Sequence, residues 1–518
     1  MSVSIDNKRI ARNTVFLYLR LIVVLLISLY TTRLVLKALG IVDYGIYEVV
    51  GGIVTLFSVL NVTLSNGVNR YINVEKGKDH NGRLNEVFTN SVITQVILAL
   101  VILVLVETVG LWYLNNKLVI PEDRLPAANW VLQLSMISFV AMVLQAPFSA
   151  IIQAHEKMDF YAIVSIICAL LKLGGVYILV ISEGDTLVLY GVILAVVSVI
   201  NFLLYFIYCK LKFINIKFNK SINKSLLKEM AGFAGWNALD PLAYTIRGQG
   251  TNMVLNFFFG PVLNAAYGIS NQVAVAFDQF ATQLGLAFTP QLMQSQAAGK
   301  DDRSFSLMYA MSKFSFSLQL MLYIPLMVNL SLVLNIWLGE ANIPEYTIQF
   351  TAFILTVKTI NTLNSPISTL ILAIGNIKKY MIVTSLIVSS ILPLSILFLC
   401  LGASPLSVYI IMLALTVLNQ SACVVMLSKL SPNFRVKSYL REVIRPLVLL
   451  TTISMVPIVG LSLTIYNPVL RFFVTSFISL LLTLSLIYYI ILNKTQREMA
   501  LGVLKNKVRH FTKRSKEL

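Results

Sequence analysis

Residues 146–161 read APFSAIIQAHEKMDFY, and residues 365–380 read SPISTLILAIGNIKKY. Pro147 answers Pro366, Ala154 answers Ala373 and Tyr161 answers Tyr380, at one constant offset. Three further echoes keep the same order. GIVDYGIY at 40–47 returns as GPVLNAAYGIS at 260–270, EKGKDHNGR at 75–83 as AAGKDDR at 297–303, and LVIP at 118–121 as ANIP at 341–344. Four echoes in one order, at nearly one spacing, mark an internal duplication. The echoed pieces carry the Gly and Pro that set backbone geometry at turns and helix ends.

Between the echoes the chain is apolar. Its 518 residues are 57% hydrophobic and 12% charged, with a mean hydropathy of +0.80; a soluble protein carries about 25% charged residues. A membrane helix needs about 20 mostly apolar residues. Fourteen stretches qualify, at 14–37, 42–65, 87–113, 127–151, 160–182, 186–209, 230–258, 261–290, 305–337, 346–374, 379–401, 405–428, 445–465 and 468–492. The first, TVFLYLRLIVVLLISLYTTRLVLK, has Arg20 inside its apolar run and no cleavage site after it. It therefore reads as a retained span, not a signal peptide. The pattern predicts an all-α integral membrane protein with about 14 transmembrane helices.

The net charge of +18 is explained by topology. With the N-terminus in the cytoplasm, the outer segments hold only Lys37, Lys117, Arg124 and Arg471. Most of the 41 Lys and Arg fall on the inner side, as the positive-inside rule requires. Both termini are expected on the cytoplasmic side of the membrane, and nucleic acid is not needed as a partner. The tail from Lys494 carries Leu501, Leu504, Val508 and Phe511 at helical spacing; it reads as a plain topology anchor, with an interfacial helix on anionic lipid as the alternative.

The repeat offset covers six spans. An even number keeps both copies in one orientation, so the repeats are parallel, related by an axis along the membrane normal. The expected organisation is an N-lobe at 1–209, a basic cytoplasmic linker at 210–229, a C-lobe at 230–428, two appended helices within 429–492 and a basic tail at 493–518. Two six-helix lobes enclose a central cleft, and rocking about their axis opens it to either side.

Six basic residues fall within spans: Arg20, Arg33, Lys172, Arg247, Lys313 and Lys358. Four acids do so too: Glu48, Glu107, Asp240 and Asp278. Each charge at mid-bilayer costs about 2.5–3.5 kcal/mol on insertion scales, so each needs a partner, a wet cavity or the interface. Arg33, Glu48 and Glu107 lie near the outer surface, and Lys313 and Arg20 lie near the inner one, within reach of snorkelling. Lys172, Arg247 and Lys358 are central in their spans. Asp240 and Arg247 are seven apart and share a helix face; a structural pair with Asp240 or Asp278 is the alternative use of Arg247. Cations spread over both lobes suit an anion, since one charge pair at 4 Å is worth about 4 kcal/mol at an effective dielectric of 20. Arg20, Arg247 and Lys358 are the leading candidates to bind a pyrophosphate or anionic glycan, with Arg33, Lys172 and Lys313 secondary. Asp240 and Asp278 are the candidates for coupling an ion.

Enzyme chemistry finds no foothold. His80, His155 and His510 are scattered. Cys168, Cys209, Cys400 and Cys423 lie in or beside apolar runs without metal-ligand spacing. No nucleophile–base pair or phosphate-cradling glycine loop is present. No catalytic residue, metal or cofactor is expected.

The duplication, the turn LGIVDYG and the segment PFSAIIQAHEKMDFYA resemble the polysaccharide-transport branch of the multidrug/oligosaccharidyl-lipid/polysaccharide exporter superfamily. This branch contains the Wzx-type flippases for O-antigen, capsule and related glycans. The resemblance implies a MATE-like, two-lobed alternating-access fold. It implies transport of undecaprenyl-pyrophosphate-linked oligosaccharides from the cytoplasmic to the periplasmic leaflet, with membrane lipids, a glycan polymerase and chain-length machinery as partners. In related lipid II flippases basic residues on the first helix hold the pyrophosphate; Arg20 and Arg33 match that pattern by helix, and Arg247 by its place early in the second lobe. A cation-coupled multidrug antiporter of the same fold is the rival reading, and it would depend on cavity acids. A membrane-embedded glycan polymerase or ligase fits less well: it would be expected to carry a large outer loop with catalytic side chains, and the longest here is about 114–126.

Overall fold

The computed structural model describes residues 2–77, 81–155, 157–213, 239–375, 378–492 and 497–498. Side chains are described over the same residues except 2–19, 66, 70, 73–77, 81–83, 239–240 and 280–287. Most of the basic linker and of the C-terminal tail, and the side chain of Asp240, thus lie outside the described residues.

The described chain is helical, with no strand among the described residues. In order, the helices are α1 (Ser2–Thr55), α2 (Ser58–Gly77), α3 (Asn81–Leu105), α4 (Leu125–Ala154), α5 (Met158–Ile181), α6 (Thr186–Lys212), α7 (Leu239–Phe259), α8 (Pro261–Ala297), α9 (Asp301–Val328), α10 (Leu330–Leu338), α11 (Thr347–Asn361), α12 (Asn364–Ile374), α13 (Lys378–Ser389), α14 (Ile391–Cys400), α15 (Leu406–Leu430), α16 (Arg445–Thr464) and α17 (Pro468–Leu486). Helices cover most of the described residues of the apolar stretches, but their ends differ from the expected spans: the stretch 42–65, for example, is divided between α1 and α2. Among the described residues ten helical stretches are long and apolar enough to cross a membrane. Helices α7 and α8 are not among them, because Asn252, Asn256, Asn264 and Asp278 interrupt their apolar runs, and α11, at 15 residues, is too short by itself.

Outward faces are hydrocarbon. Ile163, Ile167, Leu170 and Ile178 form an exposed stripe along α5, and Leu470, Phe473, Phe477 and Leu481 another along α17. In water such stripes would drive association; in a bilayer they match the solvent.

The breaks between helices follow Gly and Pro. α1 runs through the first expected span and into the second, bent where Gly40 takes φ 76° and ψ 175°. Gly260, the echoed glycine, also has φ 76° and separates α7 from α8. A side chain is strained in that region, so glycine is the residue that turns the chain there. The duplicated segment behaves alike in both copies. Pro147 lies inside α4, which ends at Ala154, and Pro366 lies inside α12, which ends at Ile374. The second copy differs in one respect. Between α11 and α12 the helix breaks at Thr362 and Leu363, where Pro366 offers no N–H to the carbonyl four residues before it.

The chain packs as two compact units. One comprises Met1–Ser270, Asn335–Phe350 and Ser385–Ile411; the other comprises Asn271–Leu334, Thr351–Thr384 and Met412–Leu518. In the first, an aromatic core joins α3, α4 and α6, with Phe88 and Phe206 each edge-on to Phe148 at 5.5 and 5.4 Å. In the second, Phe277, Met308, Leu355, Ile367, Leu427 and Tyr439 form the core of α8, α9, α11, α12, α15 and the turn before α16.

Within the first unit the second half of α1 and the start of α8 approach backbone to backbone. A Cβ on Gly45 would stand 1.8 Å from the Pro261 carbonyl oxygen, and one on Gly268 would stand 2.5 Å from the Glu48 carboxyl carbon. Gly45 and Gly268 are the equivalent glycines of the echoed Tyr-Gly-Ile, so each copy of the motif presses on the other. Beside this contact runs a ladder of buried asparagines. Asn252 Nδ2 donates to the Glu48 carbonyl at 3.0 Å, Asn264 Nδ2 to the Asn252 carbonyl at 2.7 Å, and Asn256 Nδ2 to Asn264 Oδ1 at 2.9 Å. The Val119 N–H closes the ladder on Asn256 Oδ1 at 2.8 Å. Nearby, Arg124 ties α1 to α6: its Nε donates to Asp43 at 2.9 Å and its Nη1 to Asp185 at 3.0 Å.

Gly45→Ala is expected to lower the melting temperature or prevent folding, since overpacking costs about 1–3 kcal/mol and here the obstacle is backbone. Gly174→Ala, on α5 with nothing within 4 Å, is expected to be neutral or stabilising. Thermal unfolding of the two purified variants in detergent checks the difference; equal melting temperatures would refute the close crossing.

Candidate functional site

The six intramembrane cations fall into two kinds. Among the described residues one of them, Lys358, forms an ion pair, and the arginines form none. Lys358 on α11 donates to Asp278 of α8 at 2.8 Å, with both side chains about one-third exposed or less. Asp278 is therefore a partner of Lys358. Lys172 on α5 lies 5.8 Å from the Tyr190 ring and acts electrostatically on Glu48, whose other close neighbour is the Tyr44 hydroxyl. Glu48 is half-buried against Gly268, because α1 and α8 touch there. Lys313 on α9 lines a polar cavity of about 310 Å³ with Asp302, Arg435 and Glu442. Glu442 is its electrostatic partner.

The arginines use aromatic faces and backbone. The Arg20 guanidinium on α1 lies over the Tyr161 ring, 4.5 Å from its centroid. Its Nε is buried and has no hydrogen-bond partner among the described residues. Arg247 on α7 lies 5.0 Å from the centroid of Tyr244, one helical turn before it. Arg33 is exposed, and its Nη1 donates to the Ile336 carbonyl of α10 at 3.1 Å; Trp337 Nε1 donates to the Leu29 carbonyl one turn earlier on α1. Among the described residues none of the three arginines forms an ion pair, and all three belong to the first unit. A guanidinium suits this arrangement. It stacks flat on a ring and keeps in-plane N–H groups for an oxyanion.

Arg20 and Arg33 are thirteen residues apart on one helix, about 20 Å at 1.5 Å rise per residue. One pyrophosphate cannot bridge them. Composition and span position do not single out the aromatic platforms, although Tyr161 lies in the duplicated segment. The nearness of Lys172 to Glu48 depends on which faces of α1 and α5 meet, which a span count does not reveal.

Comparison with known proteins places this architecture. The family described as "Polysaccharide biosynthesis protein" matches residues 10–296. No curated protein matches the chain. Among solved structures, the chain is similar to the lipid II flippase MurJ in an inward closed conformation, with 17% identity, a TM-score of 0.66 and coverage of 92% of this chain and 98% of that one. It is also similar to an inward-facing multidrug resistance MATE family transporter of the MOP superfamily, with 15% identity, a TM-score of 0.64 and coverage of 79% and 96%. A MOP superfamily transporter from Pyrococcus furiosus, described by the reverse polarity of its binding pocket, is similar at 15% identity and a TM-score of 0.56, with coverage of 81% and 96%. At these identities the likeness shows the fold alone.

The Lys358–Asp278 pair sets an expectation that a lone cation would not. Lys358→Met and Asp278→Asn should each destabilise the purified protein, and the double variant should lose less than their sum, with a coupling of about 0.5–3 kcal/mol. A thermal or denaturant double-mutant cycle measures it; strict additivity would dissolve the pair.

Proposed function

The chain belongs to the polysaccharide biosynthesis protein family, and from that premise we propose that it flips an undecaprenyl-pyrophosphate-linked oligosaccharide across the bacterial inner membrane. Its fold is that of MOP-type membrane transporters. The observation that carries the finer reading is Arg20, stacked on Tyr161 with a buried Nε that no described residue satisfies. A buried donor left unmatched costs about 1–3 kcal/mol or more when charged. A phosphate oxygen removes that cost and forms a charge-assisted bond. Arg247, desolvated and without a carboxylate among the described residues, is the second head-group ligand. Arg33, held at the far end of α1, serves a different station on the path.

Lys358 acts after a partner gives way. A pyrophosphate reaching Lys358 must displace Asp278, so binding there releases a carboxylate for a cation or proton. This links the anion-binding reading to ion coupling without a separate acidic site. Voltage adds a bias. About 2.3 kcal/mol accompanies each unit charge moved through 100 mV, and an anionic head group leaving a negative interior moves with that field. Nothing covalent is required, so the protein acts as a transporter with no catalytic residue.

Proteoliposome flipping of an undecaprenyl-pyrophosphate oligosaccharide tests the reading. Arg20→Gln and Arg247→Gln are each expected to slow flipping about tenfold or more, the loss of one charge-assisted bond of ~1.5–3 kcal/mol. Arg20→Lys restores charge but not the planar stack, and should recover only part. If both glutamine variants flip normally while Asp278→Asn abolishes export of a cationic drug, the antiporter reading replaces this one.

A further inference from the structure

A second cavity, of about 350 Å³, lies inside the first unit among α1, α4 and α6. Its size is at the lower end of the ~300–1,000 Å³ typical of small-molecule sites. No Asp, Glu, Lys or Arg lines it. Its polar groups come from Thr55, Ser138, Ser198, Gln145 and Asn201, with Ser135 beside them. Its apolar walls include the rings of Tyr47 and Phe139.

The hydrogens of this lining are largely committed. Thr55 Oγ1 donates to the Gly52 carbonyl at 3.0 Å, Ser138 Oγ to the Leu134 carbonyl at 3.0 Å and Ser198 Oγ to the Leu194 carbonyl at 2.8 Å. Each hydroxyl therefore presents lone pairs, not a proton, to anything that enters. Asn201 Nδ2 donates to Gln145 Oε1 at 2.9 Å. Whichever way these two amides are turned, the pair keeps one unmatched carbonyl and one unmatched amino group. The rim thus holds several acceptors and a few amide donors. A carboxylate or phosphate brings acceptors only and finds no cation here. A cation finds no carboxylate. An uncharged ligand rich in hydroxyl donors, with C–H faces to lay on Tyr47 and Phe139, satisfies both rim and walls.

We infer that this pocket binds an uncharged sugar residue of the transported glycan, and so selects neutral hexose or N-acetylhexosamine units over uronic acids. The inference rests on the flippase reading above and adds to it a division of labour. Stacked arginines take the pyrophosphate, and an acceptor-rich pocket without ionised side chains takes the sugar. Tyr47 leads from the pocket toward Lys172, a secondary candidate for the anionic part of the substrate. It lines the pocket, meets Tyr190 edge-on at 4.8 Å, and lies within the electrostatic reach of Lys172.

The test uses the full chain in lipid nanodiscs, with binding measured by native mass spectrometry. The probes are undecaprenyl pyrophosphate alone, the same lipid carrying N-acetylglucosamine, N-acetylgalactosamine or galactose, and the same lipid carrying glucuronic acid. The best neutral glycolipid is expected to bind about tenfold more tightly than the bare carrier, the return on one or two net hydrogen bonds, and the glucuronic acid lipid no more tightly than the bare carrier. Ser138→Val with Ser198→Val should bring the ratio of neutral to bare affinity toward one. Thr55→Val, which keeps shape and spares the fold if the double variant does not assemble, should lower it about fivefold. A glucuronic acid lipid bound as tightly as the neutral ones, a ratio unchanged in the valine variants, or bare carrier bound with no gain from any neutral sugar would overturn the inference while leaving the flippase reading intact. Binding of none of the probes would remove both.

Discussion

The first unit depends on one close approach of two backbones. Gly45 has no room for a side chain because the Pro261 carbonyl occupies the place of its Cβ, and Gly268 has none because Glu48 does. In a membrane, helices gain nothing from the hydrophobic effect by meeting each other. They associate through close packing and hydrogen bonds, which small residues permit. The glycine contact brings α1 near enough to α7 and α8 for Asn252, Asn264 and Asn256 to bond one another and to reach the Glu48 and Val119 backbones. Without the contact, Asn252 Nδ2 would lose the Glu48 carbonyl and face a low-dielectric interior unmatched.

That same contact sets the electrostatics. It half-buries Glu48, beside the Tyr44 hydroxyl and within electrostatic reach of Lys172 on α5. Lys358 and Asp278 form an ion pair in the second unit. Lysine is a compact charge that a single carboxylate can neutralise. Arginine spreads its charge over a plane, lies on a ring, and still offers N–H groups in that plane. The ion pair among the described intramembrane cations belongs to a lysine, Lys358, while Arg20, Arg33 and Arg247 form none among the described residues.

A lipid-linked glycan has three parts of unlike chemistry. The hydrocarbon tail is compatible with the bilayer itself. The pyrophosphate needs positive charge, and the sugar needs hydrogen-bonding partners without charge. The first unit offers both of the latter as separate surfaces: stacked arginines on α1 and α7, and a hydroxyl- and amide-lined cavity among α1, α4 and α6. The drug exporters of the same fold face a different problem, because an apolar cation needs acids. Here, of the four acids within spans, Asp278 pairs with a lysine.

Much was decided by the sequence alone. Apolar runs of span length, interrupted by Gly and Pro, determined the helices, because a bilayer allows the chain few other ways to satisfy its backbone. The four echoes determined that the chain is duplicated, and Gly40 and Gly260 turn it at the same φ. The intramembrane cations were legible as exceptions to composition. Which of them are neutralised was not: helix position offers Asp278 to Arg247, and packing brings Lys358 to it. Nor could the sequence show that Ser138, Ser198 and Asn201 share a cavity, since serines on α4 and an asparagine on α6 are unremarkable until the two helices pack. Span identity is a local property, summed along about twenty residues and insensitive to rotation about the helix axis. Pairing, burial and pocket chemistry depend on that rotation, which only the packing of helix against helix determines.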